Sequence, residues 1–302
     1  ARFFVGSSIV VFLLCLKSGF GYDIRGKTAL VTGASGGIGA GIAKRLAQEG
    51  AKVWIHYHTR REGALATQES IQKQGGTSLG IISCDFREPQ NIHTMMAQLG
   101  TDDGGIDILV NNAGAIHKVA VDDDDDQMSL WHETLAINLH APLLLSRLVR
   151  PAMTTNGGGV IIMVSSIHGL RSNEYMGAYA ASKAALDSVT RTLTLEWASD
   201  KIRVNGIAPG VVPVERTATA FATPGVSEAW LRHIPVDKLG TPENVAEAVI
   251  PLITNEWITG TTWNVDGGMM ARTNMPPRPR PPKPQPKEEK DPTRCTEVRL
   301  ER

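Results

Sequence analysis

The chain has few cysteines and no net charge. Its three cysteines among 302 residues, Cys15, Cys84 and Cys295, are far apart and odd in number, so they provide neither a disulfide framework nor a metal-binding spacing. The formal net charge is zero, which argues against a nucleic-acid partner because such partners select basic surfaces. The histidines are scattered, and we expect no metal site. This composition is typical of a reducing compartment, and we expect the cytoplasm.

The chain also lacks an apolar run long enough to cross a bilayer. Residues 3–16 are uncharged and mostly apolar, but these fourteen residues fall short of the ~20 that a membrane-spanning helix needs. Their length suits the apolar core of a signal peptide. A targeting or anchoring segment, a packed extension and an artefact of the start site are the alternatives, and we favour the last. A membrane partner is therefore not expected.

Proline is concentrated at the other end of the chain. Residues 275–302 hold eight of the 17 prolines together with many charges, a composition that cannot bury a core. We predict an apolar extension over residues 1–22, one folded domain over residues 23–272, and a disordered, proline-rich tail over residues 273–302.

Between these ends, strand-like apolar runs alternate with helical patterns. This alternation predicts an α/β fold, a doubly wound and mainly parallel sheet of the Rossmann type in a single domain. The predicted strands are 28–32, 52–57, 79–84, 107–111, 159–165, 202–207 and 261–265.

A glycine-rich turn follows the first predicted strand. Residues 32–39 read Thr-Gly-Ala-Ser-Gly-Gly-Ile-Gly and open a helical pattern, which is the context that indicates a dinucleotide site. Gly33 permits the tight turn, Gly37 lets the backbone approach a pyrophosphate, and Gly39 lets the helix pack close to the strand. The amino end of the helix favours the phosphates.

A tyrosine and a lysine stand four residues apart at Tyr179 and Lys183, and this spacing places both on one face of a helix. An ammonium group beside a phenol favours the phenolate and lowers the pKa of the tyrosine. The pair is suited to proton transfer with an alcohol or a ketone. Ser166, thirteen residues before Tyr179, ends an apolar run.

Further motifs follow in order: Asn-Asn-Ala-Gly at residues 111–114, Asn138, and Pro-Gly at residues 209–210. With these motifs, residues 26–272 resemble the short-chain dehydrogenase/reductase family, nearest to its 3-oxoacyl-carrier-protein reductases and glucose dehydrogenase-like members. The resemblance implies an NAD(P)-dependent enzyme acting on CH–OH groups.

The resemblance also implies roles for four residues. Tyr179 is the catalytic acid and base, and Lys183 lowers its pKa and binds the nicotinamide ribose. Ser166 holds the substrate oxygen, with Ser165 as the competing candidate that the spacing disfavours. Asn138 anchors a water in a proton relay, and its alternative is an amide bonded to local backbone.

Cofactor contacts are implied in the same way along the whole cleft. Ser35 and Ile38 belong to the glycine loop, whereas the aspartate and phenylalanine at residues 85–86 contact the adenine. Residues 112–114 support the adenine ribose, and residues 209, 210 and 212 line the pocket of the nicotinamide. The full set is Gly33, Ser35, Gly37, Ile38, Gly39, His58, Arg60, Asp85, Phe86, Asn112, Ala113, Gly114, Tyr179, Lys183, Pro209, Gly210 and Val212.

The residues after the second predicted strand determine the cofactor preference, because an acid there selects NAD. Tyr57 occupies the position of that acid, and His58 and Arg60 follow it. Since arginine matches phosphate geometry, we predict NADP, with NAD as an alternative. Gly36 is a departure, because NADP-preferring relatives often have a basic residue there.

The sequence does not identify the substrate beyond a small carbonyl compound or alcohol. We expect NADPH-dependent carbonyl reduction, of 3-oxoacyl or general type. The alternatives are a glucose-type sugar dehydrogenase and a non-catalytic, dinucleotide-binding scaffold. The resemblance also implies a homotetramer or homodimer.

Overall fold

Short apolar segments form one parallel sheet with the strand order β3-β2-β1-β4-β5-β6-β7. The structure is a computed structural model that describes residues 21–99, 104–122 and 125–271, without the side chains of 125–127. The central strands β1, β4 and β5 are buried along their whole length, because helices cover both faces of a parallel sheet. The strands are β1 (Thr28–Val31), β2 (Lys52–Tyr57), β3 (Thr77–Ser83), β4 (Ile108–Asn111), β5 (Gly159–Val164), β6 (Ile202–Pro209) and β7 (Thr262–Val265).

Helices connect the strands and divide between the two faces of the sheet. Apolar residues of α1, α2 and α9 share one core cluster with the sheet, and those of α3, α5 and α6 share the other. Within the described residues the helices are α1 (Gly37–Gln48), α2 (Arg61–Lys73), α3 (Pro89–Leu99), α4 (Asp125–Leu135), α5 (Ala141–Thr155), α6 (Gly177–Trp197), α7 (Ala218–Phe221), α8 (Val226–Leu231) and α9 (Pro242–Thr254).

This architecture confirms the predicted fold, and each strand lies within two residues of its predicted bounds. The predicted extension lies outside the described residues except for Gly21 and Tyr22, and the predicted tail lies wholly outside them. Across the described part of the chain, no helix has both the length and the apolar character required to cross a membrane.

The strand order reverses at the centre of the sheet. β1 pairs with β2 on one side and with β4 on the other, so the connections leave in opposite directions from this point. In open α/β sheets a crevice forms outside the carboxyl ends of the strands at such a reversal, and ligands bind there. The glycine loop follows β1 and the Asn-Ala-Gly turn follows β4, so the topology brings both motifs to this crevice.

Candidate active site

The glycine loop packs against the turn after β4 without room for side chains. Gly33 has φ +63°, and a Cβ added to it would lie 2.9 Å from the Cα of Ala113. A Cβ on Gly39 would lie 2.5 Å from the carbonyl oxygen of Gly33 and closer still to the Asn112 amide. Only glycine fits at these two positions, and we call the closely packed loop of residues 33–39 the cradle.

Helix α1 leaves its first backbone N–H groups available at this cradle. It begins at Gly37 with no capping side chain and no acidic residue in its first turn. Unpaired N–H groups and the positive end of the helix dipole favour a bound phosphate. The cradle and the helix end thus fit the pyrophosphate of a dinucleotide.

His56, on β2, contacts the glycine loop, and no sequence motif indicated this role. Its Nδ1 accepts a hydrogen bond from Gly33 N at 3.0 Å, and its Nε2 donates to Cys84 O at 3.1 Å. The ring stacks on Phe86 with centroids 4.2 Å apart. Burial lowers the pKa of His56 to about 4, so the neutral ring provides the acceptor that Gly33 needs.

Thr32 joins the ends of β1 and β4. Its hydroxyl oxygen accepts from the backbone N–H groups of Asn112, at 2.9 Å, and Ala113, at 3.0 Å. The Asn112 side chain donates to the carbonyl of Thr32 at 2.8 Å. These bonds hold the Asn-Ala-Gly turn against the glycine loop, so one rigid surface presents both predicted cofactor segments.

Ser166, Tyr179 and Lys183 come together at the other wall of the crevice. Helix α6 presents Tyr179 and Lys183 from one face, with the Lys183 Nζ 5.7 Å from the centre of the tyrosine ring. Ser166 follows β5, lines the same cavity as Tyr179, and lies close enough to its hydroxyl to lower the pKa of Tyr179. The Ser165 hydroxyl instead donates to the carbonyl of Lys183 at 3.3 Å, so the geometry favours Ser166 over Ser165 as the group beside Tyr179.

The pKa of Tyr179 differs from the sequence-based expectation. Burial raises the pKa of Tyr179, while the hydrogen bond with Ser166 and the positive charge of Arg216 oppose the rise. The ammonium of Lys183 donates to the carbonyl of Val164 at 2.8 Å. Burial lowers the pKa of Lys183 to about 8, and the nearby carboxylate of Asp187 opposes this shift.

Asn138 is buried behind the crevice rather than at its surface. It lies in a single π-helical turn, Ala136–His140, between α4 and α5, and such turns are frequent at functional sites. Its side-chain amide accepts from Ala115 N at 2.8 Å and donates to Ala115 O at 2.9 Å and to the Ser182 hydroxyl at 3.1 Å. The amide thus bonds to the backbone of a distant segment rather than to local backbone, and it holds the segment after Gly114 in place. Its role in a proton relay stays a prediction.

The residues predicted to hold the cofactor line a single cavity of about 930 Å³. The predicted catalytic residues Ser166, Tyr179 and Lys183 line it too, whereas Asn138 is not part of its wall. The predicted cofactor residues on this wall are Gly33, Ser35, Gly37, Ile38, Gly39, His58, Arg60, Asp85, Phe86, Asn112, Ala113, Gly114, Tyr179, Lys183, Pro209, Gly210 and Val212.

At the adenine end the carboxylate of Asp85 is already engaged. Arg87 donates to it from the backbone N at 3.0 Å and from Nε at 2.9 Å, and His58 Nε2 lies 3.5 Å away. The bonds from Arg87 lower the pKa of Asp85 to about 2. An adenine amino group would therefore share this carboxylate with Arg87.

The loop after β6 adds two charged residues that the sequence analysis did not identify. Glu215 and Arg216 line the cavity, and Arg216 Nη1 donates to the carbonyl of Gly114 at 3.0 Å. A signal was available, since both closely follow the Pro-Gly motif at residues 209–210, which the resemblance places beside the nicotinamide. Among the described residues, no cluster of histidine, cysteine or carboxylate groups is arranged to hold a metal ion.

Most of the chain is similar in sequence to known proteins. The sequence profile of a family described as enoyl-(acyl carrier protein) reductase matches residues 33–270. The 3β-hydroxysteroid dehydrogenase 1 of Eggerthella lenta is 37% identical over 250 residues, which cover 82% of this chain and 95% of that protein.

Solved structures are similar over the same part of the chain. A 7α-hydroxysteroid dehydrogenase complexed with NADH and 7-oxo glycochenodeoxycholic acid has 33% identity and a TM-score of 0.75, covering 82% of this chain and 96% of that one. A putative 2-deoxy-D-gluconate 3-dehydrogenase from Agrobacterium tumefaciens with bound NADP has 31% identity and a TM-score of 0.74, covering 85% and 100%.

Proposed function

Because the chain belongs to the short-chain dehydrogenase/reductase family and is an oxidoreductase, we propose that Tyr179 acts as its acid and base in hydride transfer between a nicotinamide dinucleotide and a carbonyl or secondary alcohol. One observation carries this proposal: Ser166, Tyr179 and Lys183 line the same cavity as the glycine cradle. Hydride chemistry needs these two sites side by side.

Each residue of the group has a distinct task in this proposal. The hydroxyl of Ser166 donates to the substrate oxygen and orients it toward Tyr179. In reduction, Tyr179 gives its proton to that oxygen; in oxidation, the phenolate removes the proton from the alcohol. Lys183 binds the nicotinamide ribose, and its charge then supports the phenolate. When bound, the nicotinamide supplies the hydride to the carbonyl carbon or accepts it from the alcohol carbon.

We extend the proposal to the cofactor, which is NAD or NADP, with NADP preferred. Relatives hold NADH or NADP, and the cradle suits the pyrophosphate of either. Support for the preference comes from Arg60, which lies after β2, lines the cavity, and carries the guanidinium group that matches a 2′-phosphate.

The substrate we favour is a ketone reduced with NADPH, of 3-oxoacyl or more general type. A sugar-type dehydrogenase is the second candidate, because the similar Agrobacterium protein is named as acting on a deoxygluconate. The hydroxysteroid relatives add bulky secondary alcohols to the compounds that a test has to include.

The experiment is a panel assay that follows the absorbance of reduced nicotinamide. NADPH and NADH are offered with ketones, oxosteroids and 3-oxoacyl thioesters, and the oxidised cofactors with sugars, sugar acids and secondary alcohols. Turnover of at least one class of compound supports the proposed hydride transfer. Tight cofactor binding with no turnover of any class would instead favour the non-catalytic scaffold.

We also propose a cytoplasmic homotetramer or homodimer assembled through α6. Support for the assembly comes from Leu195, which projects from this helix with 81% of its surface exposed although the opposite face is buried. Sedimentation of the parent and of Leu195→Glu tests the assembly. A parent protein that sediments as a monomer would contradict it.

A further inference from the structure

The segment after β6 lays a short turn across the cofactor crevice. This turn, Glu215–Thr217, is a single 3₁₀ turn. The Thr217 hydroxyl closes it by accepting from Val214 N at 3.0 Å. Arg216 anchors it to the far wall through its bond to the carbonyl of Gly114 at 3.0 Å. The turn that carries Glu215 is thus closed on itself and bonded to the segment after β4.

The Glu215 carboxylate lies over the glycine loop. A Cβ added to Gly36 would be 2.9 Å from Oε2 and 3.0 Å from Oε1 of Glu215. The carboxylate therefore fills the space that a side chain at position 36 would need. A basic side chain is absent there, and an acidic group from a different part of the chain takes its place.

The same carboxylate faces Arg60. Glu215 Oε2 lies 3.9 Å from Arg60 Nη1, and both side chains are about half exposed. An exposed pair at this distance adds little to stability, but it places a negative charge beside the guanidinium that is proposed to bind the 2′-phosphate. Arg61, which follows it, pairs with Glu62 at 3.8 Å.

The two cofactors respond to this carboxylate in opposite ways. In dinucleotide sites an acid near the adenosine ribose accepts from the 2′-hydroxyl of NAD, whereas an arginine accommodates the 2′-phosphate of NADP. A phosphate drawn to Arg60 also meets the charge of Glu215 at short range, where like charges in partly screened surroundings repel by an amount equivalent to about a 10-fold change in affinity. The ribose hydroxyls of NAD meet no such repulsion.

We propose that Glu215 sets the cofactor preference by opposing the attraction of Arg60 for the 2′-phosphate, so that NAD remains usable beside NADP. The proposal rests on the proposed function, because it concerns the cofactor of that same site. It assigns selection to a loop after β6, in addition to the residues that follow β2.

The test measures the dissociation constants of NADP⁺ and NAD⁺ on the full chain by calorimetry. Glu215→Gln is compared with the parent and with Glu62→Gln, which removes an equal charge from an exposed position outside the cavity wall. Glu215→Gln is expected to tighten NADP⁺ binding about 10-fold relative to NAD⁺. Glu62→Gln is expected to leave the ratio of the two constants within twofold of the parent.

A double variant identifies the partner of Glu215. In the background of Arg60→Met, the change Glu215→Gln is expected to give a much smaller gain, because the phosphate is then no longer drawn to this position. Equal tightening of both cofactors would overturn the proposal, since it would place the effect of Glu215 on the shared pyrophosphate. An unchanged ratio would overturn it as well.

The readout separates this proposal from the proposed function. Cofactor binding can be measured without a substrate. A shifted ratio of the two dissociation constants without turnover would therefore support the role of Glu215 and contradict the proposed catalytic activity. Turnover that depends on Tyr179 with an unchanged ratio would contradict only the role of Glu215. Failure of the parent to bind either cofactor would overturn both.

Discussion

His56 is a buried side chain that supports the glycine loop by accepting a hydrogen bond from Gly33 N. It is 2% exposed, and burial lowers its pKa from 6.5 to about 4. The folded state therefore binds fewer protons than the unfolded state between these values, and its stability falls as the pH falls through this window. At ~1.4 kcal/mol per pH unit, the loss is about 3 kcal/mol.

We predict that His56→Gln removes this contribution to the pH dependence. Urea unfolding at pH 7, 6, 5 and ~4 gives the free energy of unfolding for parent and variant. The stability difference between the two should shrink by up to about 3 kcal/mol toward the acid end. The control is His93→Gln on α3, an exposed position, and it should follow the parent. A constant difference between parent and His56→Gln would contradict the assignment.

Arg216 is the second side chain with a testable electrostatic effect. Its charge opposes the rise in the pKa of Tyr179 that burial causes. In alcohol oxidation the phenolate is the active form, so a higher pKa moves the acid limb of the rate profile to higher pH.

Arg216→Met is therefore expected to move the acid limb of kcat/KM for oxidation to higher pH, and Arg216→Lys to restore most of it. The measurement is the pH profile of kcat/KM with one substrate of the panel. Identical limbs for parent and Arg216→Met would show that Arg216 does not act on Tyr179.

Among the secondary structure elements, the approach of α1 to the end of β1 controls the cofactor cradle. A Cβ at Gly39 would enter the space of Gly33 and Asn112, and overpacking of this kind costs about 1–3 kcal/mol. We predict that Gly39→Ala lowers the free energy of unfolding by this amount and weakens binding of both cofactors at least 10-fold.

Gly157→Ala is the matched control for this prediction. Gly157 has φ +86° but no atom within 4 Å of an added Cβ, and it lies in the turn between α5 and β5. Its replacement introduces backbone strain of about 1 kcal/mol without touching the cradle. Calorimetric cofactor binding should remain at the parent level in Gly157→Ala, and normal binding by Gly39→Ala would contradict the role of the close approach.

The elements also show how far the sequence alone could predict this protein. The strands and the glycine turn could be predicted because apolar runs and fixed spacings such as that of Tyr179 and Lys183 are local patterns. The side-chain partners of Asn138 could not be chosen, since its amide meets Ala115 from a distant segment. Glu215 belongs to a loop without periodicity, and its place over Gly36 depends on the tertiary path of that loop.

For the chain as a whole, we propose that residues 22–272 form the complete catalytic unit. Tyr22 belongs to this unit, because its backbone N donates to the carbonyl of Thr254 at 2.8 Å and its hydroxyl donates to the backbone carbonyl of Asp107 at 3.4 Å. Because the proline-rich, charged composition of residues 273–302 cannot bury a core, their removal is expected to leave the unfolding midpoint and the cofactor affinity unchanged.

Thermal unfolding with and without cofactor checks this boundary. A lower midpoint in the shortened chain would show that the proline-rich tail contributes to the fold. A further variant that also lacks residues 1–21 tests the other boundary, and it should bind cofactor as the parent does.

The central claim is that Tyr179 moves the proton in hydride transfer, and Tyr179→Phe tests it most directly. The measurement is single-turnover hydride transfer with a substrate from the panel, together with the dissociation constant of the cofactor. The variant is predicted to bind cofactor within about threefold of the parent while losing at least ~10³-fold in the rate of transfer, because general acid and base catalysis contributes about 10²–10⁴-fold. Hydride transfer within a few-fold of the parent would contradict the account.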